Sequence, residues 1–178
     1  MSHNEFVTGP PRCGKTTVLE RTVDRLQSEY AVGGVLTPER RVDGERVGFL
    51  LRDLATGATT TLASVDRETG PSIGKYRVDV DAVNGFGVDA IEHARDADVV
   101  VIDEIAPMQL CSDQFVAAIT DVLDARLPVL AAVYEHGSEG VAADLCRRDD
   151  VTVHRVTERN RDDLPDRLAG RLRERLRA

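Results

Sequence analysis

Residues 8–17, TGPPRCGKTT, bring together groups suited to gripping a chain of phosphates. Gly9-Pro10-Pro11-Arg12-Cys13-Gly14-Lys15-Thr16 fits the Walker A spacing G-x-x-x-x-G-K-(S/T). The chain must wrap a phosphate closely enough for several backbone N–H groups to point inward, and a side chain at Gly9 or Gly14 would obstruct that approach. Pro10 and Pro11 carry no N–H, so the donors are expected from Cys13 to Thr17. Lys15 can reach the outer phosphates, the Thr16 hydroxyl can ligate Mg²⁺, and the positive end of a following helix adds to the pull on anions.

A second constellation is Val99-Val100-Val101-Ile102-Asp103-Glu104. An apolar run ending in acids fits a strand that delivers them to the carboxyl edge of a parallel sheet, where open α/β folds bind ligands. Asp103 is a candidate for the metal, directly or through water, and Glu104 is a candidate for polarising a water for attack on a terminal phosphate. A paired Asp-Glu leans towards hydrolysis, because a kinase must exclude water.

These groups need elements to position them. EFVTG reads as a first strand and Lys15 to Tyr30 as a helix, with Leu19, Val23, Leu26 and Tyr30 on one face. Residues 32–80 read as an antiparallel insert, with hairpin signals at Asp43-Gly44 and Thr56-Gly57. Alternation then returns: a helix over 86–96, the strand DVVVIDE, a helix capped by Ser112-Asp113 and running to Arg126, the strand LPVLAAVY, the short helix GVAADLCRR, the strand VTVHRV, and a last helix with Leu164, Leu168, Leu172 and Leu176. The pattern predicts an α/β fold over residues 1–178 as a single domain: a mostly parallel central sheet with helices on both faces, interrupted by the hairpin insert.

The bulk numbers narrow the function classes. The chain has 178 residues and a formal net charge of −8, which gives no general attraction to nucleic acid. It holds no apolar run long enough for a membrane span and no signal-peptide pattern, so a soluble cytoplasmic protein is expected. Cys13, Cys111 and Cys146 are scattered and lack metal-ligand spacing. Lys15 and Lys75 are the only lysines. Lys75 could face the site with Tyr76 as a stacking surface, or sit at an exposed strand end. Glu39, Arg40, Arg41 and Arg46 read as a charged hairpin edge protected against pairing rather than as a lid. One arginine of Arg159-Asn160-Arg161, after a strand expected at the ligand edge, could contact the triphosphate or lie against the base, or stay solvated near a helix start.

The chain resembles the small nucleoside-triphosphatases described from thermophiles, whose animal members are called cancer-related nucleoside-triphosphatases. TGPPRCGKTT is similar to that family's TGPPGVGKTT, and GGVLTPERRVDGERVGF to its GF-x-T-x-E-x-R segment and following R-x-GF. GKYRVDV resembles VG-x-Y-x-V-D, VVVIDEIAPMQL resembles VIDEIGKMEL, and VTERNRDDLP resembles VT-x-ENR, all in the same order along the chain. The resemblance implies a P-loop NTPase with a RecA/AAA-like sheet and slow, Mg²⁺-dependent hydrolysis of ATP, GTP and other nucleoside triphosphates. It implies that Gly9, Pro10, Pro11, Arg12, Cys13, Gly14, Lys15, Thr16 and Thr17 contact the nucleotide, with Val101, Ile102, Asp103, Glu104, Ile105 and Arg161. Ala106-Pro107 and Gln109 depart from the family's Gly-Lys and Glu, either removing a cation near the terminal phosphate or deleting a surface ion pair. A kinase for nucleotides or small metabolites and a nucleotide-dependent binding switch remain the alternatives, and any protein partner stays open.

Overall fold

The computed structural model describes residues 4–178. Their strands join in one ten-stranded sheet of order β10-β1-β9-β8-β2-β4-β5-β7-β6, with β3 paired to β4. The parallel half contains β1 (Asn4–Gly9), β2 (Val32–Leu36), β8 (Val99–Ile105), β9 (Val129–Tyr134) and β10 (Val151–Arg155). Strand β8 is central, and its residues are fully or nearly fully buried except Glu104. Such a strand, covered on both faces, needs the unbroken apolar run that the sequence supplies.

Helices cover both faces. On one lie α1 (Lys15–Leu26) and α6 (Leu164–Arg177), burying Val18, Leu19 and Leu26 against Leu164, Leu168 and Leu172. On the other lie α3 (Val88–His93), α4 (Asp113–Asp124) and α5 (Val141–Cys146). The Ser112 hydroxyl caps α4 by accepting the Phe115 N–H at 3.0 Å. Helix α1 ends at Leu26, a turn before the expected Tyr30, and the helix expected over 86–96 begins earlier. Asp79 caps a first turn, α2 (Val80–Ala82), which runs through a π-helical segment (Val83–Gly87) into α3.

The antiparallel part also begins later than residue 32. Strand β2 pairs parallel with β8 and belongs to the core. Gly34 explains why its sequence lacks a strand's usual alternation: a Cβ there would sit 1.9 Å from the Val101 carbonyl oxygen, so only glycine lets the two backbones approach. The antiparallel strands β3 (Glu39–Val42), β4 (Glu45–Asp53), β5 (Thr59–Ser64), β6 (Ser72–Ile73) and β7 (Tyr76–Val78) extend the same sheet outward from β2. The Asp43-Gly44 turn between β3 and β4 has positive φ at both residues, 51° and 80°, as a two-residue hairpin requires. No helix among the described residues is long and apolar enough to cross a membrane.

Candidate active site

The loop between β1 and α1 lies at the carboxyl edge of the parallel strands. Gly9 closes β1 with φ 151°, where an added Cβ would meet the Cys13 sulfur at 2.7 Å. The Cys13 N–H donates to the Pro10 carbonyl at 3.2 Å, which tightens the loop and removes Cys13 from the expected donors. The remaining donors are the N–H groups at the start of α1, which a helix cannot pair internally. Lys15 folds back over the loop, its Nζ donating to the carbonyls of Gly9 at 2.8 Å and Pro10 at 3.4 Å. A charge held there by carbonyls can exchange them for phosphate oxygens at little cost in ordering.

The carboxylates arrive from β8. Adjacent residues of a regular strand point to opposite faces. Between Asp103 and Ile105 the register with β9 shifts, so that Asp103 pairs with Ala132 and Ile105 with Val133. This irregularity lets Asp103 and Glu104 line one cavity. That cavity measures about 670 Å³, and Lys15, Thr16, Thr17 and Arg12 line it too. Val101, Ile102 and Ile105 are fully buried in the two cores, so their side chains position the carboxylates rather than face the cavity.

Electrostatics set the two acids apart. Burial, then the neighbouring Glu104, raises the Asp103 carboxyl to about 7, against a hydrogen bond from Thr16 and the charge of Lys15. Glu104 is also raised by burial, with Lys15 opposing the shift. Lys15 is the cation that opposes both shifts, so the two carboxylates compete for its charge. Oxygen donors alone, the Thr16 hydroxyl and the Asp103 carboxylate in hydrogen-bond contact, are the set that a hard divalent cation such as Mg²⁺ prefers. The described residues hold no cluster of three or more His, Cys, Asp or Glu suited to a metal.

The hairpin supplies a wall that the sequence reading assigned elsewhere. Thr37, Glu39, Arg46 and Phe49 line the same cavity, so this part of the charged edge faces the phosphate loop rather than only solvent. Arg46 donates through Nε to the Tyr76 hydroxyl at 2.8 Å and through Nη1 to Glu39 at 3.1 Å, with its guanidinium 5.1 Å from the Phe49 ring centre. Tyr76 is 6% exposed and stacks edge-on against Phe49, so it does not offer an open stacking face. The signals available for this wall were the T-x-E-x-R and R-x-GF patterns, which mark the residues without revealing where the hairpin folds.

Arg161 falls on the other side of the loop. Its Cδ lies 3.8 Å from where a Gly14 Cβ would stand, and it lines a cavity of about 320 Å³ with Pro10, Pro11, Arg12, Cys13 and Thr157. Position 109 is not a surface position in this chain: Gln109 is 2% exposed and donates to the Thr37 hydroxyl at 3.0 Å. Pro107 is exposed.

A glycine loop closing the first parallel strand, a helix starting at Lys15, and carboxylates on the next-but-one strand of the sheet define a P-loop NTPase. The family model described as NTPase matches residues 4–169, and the chain belongs to that family. It is 42% identical over 170 residues to the nucleoside-triphosphatase THEP1 of Methanosarcina barkeri, covering 94% of this chain and 96% of that protein. It is 46% identical over 169 residues to THEP1 of Thermofilum pendens, covering 93% of each. Among solved structures, the crystal structure of THEP1 from Aquifex aeolicus superimposes with a TM-score of 0.83 at 26% identity, over 93% of this chain and 96% of that one. The solution structure of a human cancer-related nucleoside triphosphatase gives 0.82 at 29% identity, over 97% and 98%.

Proposed function

We propose that this protein hydrolyses nucleoside 5′-triphosphates, ATP and GTP among them, to the diphosphate and phosphate, using Mg²⁺. The observation that carries the reading is the strand irregularity that sets Asp103 and Glu104 in one cavity with Lys15 and Thr16. The curated names of the relatives support it.

In this reading the loop and the start of α1 grip the phosphates, and Lys15 leaves its carbonyls to neutralise them. Thr16 and Asp103 would hold Mg²⁺, which would supply positive charge to the phosphate oxygens. Glu104 orients a water and accepts its proton as the water oxygen bonds to the terminal phosphorus. The bond from that phosphorus to the diphosphate then breaks, and the diphosphate leaves. Arg161, against Gly14 and away from the carboxylates, contacts the nucleotide on its far side.

The test is phosphate release from ATP, GTP, CTP and UTP with and without Mg²⁺, for the wild type and Glu104→Gln, with nucleotide binding measured alongside. A positioned general base contributes roughly 10²- to 10⁴-fold, so the variant should bind normally and lose at least ~10²-fold in turnover. Equal release by both proteins would rule the reading out.

A further inference from the structure

Beside the phosphate cavity lies another, of about 340 Å³, lined by four cations, Arg12, Arg41, Arg46 and Lys75, and by one carboxylate, Glu45, which pairs with none of them within ion-pair distance. The chain as a whole carries −8 and only two lysines, one of them here. Like charges gathered in one hollow repel one another unless an anion joins them. The protein's own carboxylates answer only part of this. Glu39 is shared between Arg41, at 2.8 Å, and Arg46, at 3.1 Å. Burial works against its ionisation, yet the hydrogen bonds from Arg46 and Arg41 hold it below its ordinary value, so it is committed to that pair. Arg12 and Lys75 have no carboxylate partner among the described residues, and Arg46 Nη2 makes no hydrogen bond there.

Three of the cations are held in advance of any ligand. Arg41 donates to Glu39 and, at 2.9 Å, to the Gly44 carbonyl of its own turn. Arg46 is fixed by Tyr76 and Glu39, and Lys75 Nζ rests 5.5 Å from the Tyr76 ring centre. Arg12 has φ 63°, a conformation that costs a non-glycine residue energy and that glycine adopts freely. Arg12 and Arg46 line both cavities, whereas Arg41 and Lys75 line only the outer one. Planar guanidinium forks beside a point charge suit the several oxygens of a phosphate dianion, and the volume is that of a small-molecule site.

We propose that this outer cavity is a second phosphate site, which holds the phosphate dianion of a small ligand other than the triphosphate gripped by the loop. The proposal rests on the reading that the loop holds the triphosphate. Because Arg12 and Arg46 belong to both cavities, occupancy of one alters affinity at the other, reciprocally.

The experiment uses the full chain labelled with ¹⁵N. It is first saturated with Mg²⁺ and a non-hydrolysable ATP analogue, and the Gly14 and Lys15 amide signals report that step by themselves. Inorganic phosphate is then titrated while the side-chain Nε–H signals of Arg41 and Arg46 are followed. Both should shift saturably in the loaded protein. Lys75→Gln should weaken phosphate about tenfold, the loss of one charge-assisted contact, and leave analogue affinity unchanged. Arg41→Gln, read at Arg46, should also weaken phosphate, and the spectra themselves show that each variant is folded. No saturable shift in the loaded protein would overturn the proposal. So would variants that weaken the analogue and not phosphate, because the cations would then serve the nucleotide's own end. If the analogue fails to bind, the loop reading falls alone, and the same titration of unloaded protein still decides the outer cavity at Arg41.

Discussion

The two walls of the phosphate cavity are built in opposite ways. The loop wall comes from consecutive residues, Gly9 to Thr17, whose positions follow from one turn and one helix start. The hairpin wall is assembled across strands. Glu39 sits opposite Phe49, Arg41 opposite Arg46 after a register shift, and Tyr76 reaches Arg46 from thirty residues away. Arg41 and Arg46 facing each other would repel, and Glu39 between them turns that cost into a fixed guanidinium pair. The comparison teaches that a wall made by local spacing is rigid from its own backbone, whereas a wall made by pairing depends on each cross-strand partner.

Perturbing each wall separately sharpens this contrast. Lys15→Ala should have the largest effect, slowing hydrolysis about 10²- to 10³-fold in steady-state phosphate release while leaving the Arg46 side-chain signal in place. Gly9→Ala should destabilise the fold by about 2 kcal/mol in denaturant unfolding, because it forces a Cβ to 2.7 Å from the Cys13 sulfur at a φ of 151°. Unchanged stability would mean that the loop yields more readily than its own backbone implies.

Asp103 allows a pH test of the carboxylate edge. Its folded carboxyl titrates at about 7, against 3.8 for the ordinary group. The folded state therefore keeps a proton that the unfolded chain gives up. Its contribution to stability is complete below about pH 4 and is lost as pH rises to 7 in the metal-free protein. Binding of Mg²⁺ with a triphosphate should expel up to about one proton near pH 7, measured by calorimetry in buffers of different ionisation enthalpy. The smallest expected effect is on the hairpin: Tyr76→Phe removes the 2.8 Å bond to Arg46 and should cost about 1 kcal/mol in unfolding free energy. A cost near zero would show that Glu39 and Phe49 alone hold that guanidinium.

Legibility followed locality. The loop, the strand carrying Asp103 and Glu104, and the Ser112 cap were readable because their signals lie within a few residues. The start of the antiparallel strands was not. Val32–Leu36 reads like the hairpins after it, and only its parallel pairing with β8 assigns it to the core. The placement of Arg46 and Glu39 was missed because charge on a hairpin looks alike whether it faces water or a cavity.

The sequence by itself determined which groups could grip phosphate and that acids would end a buried strand. Backbone demands and hydrophobic period are written residue by residue. Only the tertiary structure decided that Asp103 and Glu104 share a cavity, that hairpin residues line it, and that Arg41, Arg46 and Lys75 gather with Arg12. Those depend on strand register and the proximity of distant segments, and a single shift in pairing moves a side chain from one surface to another.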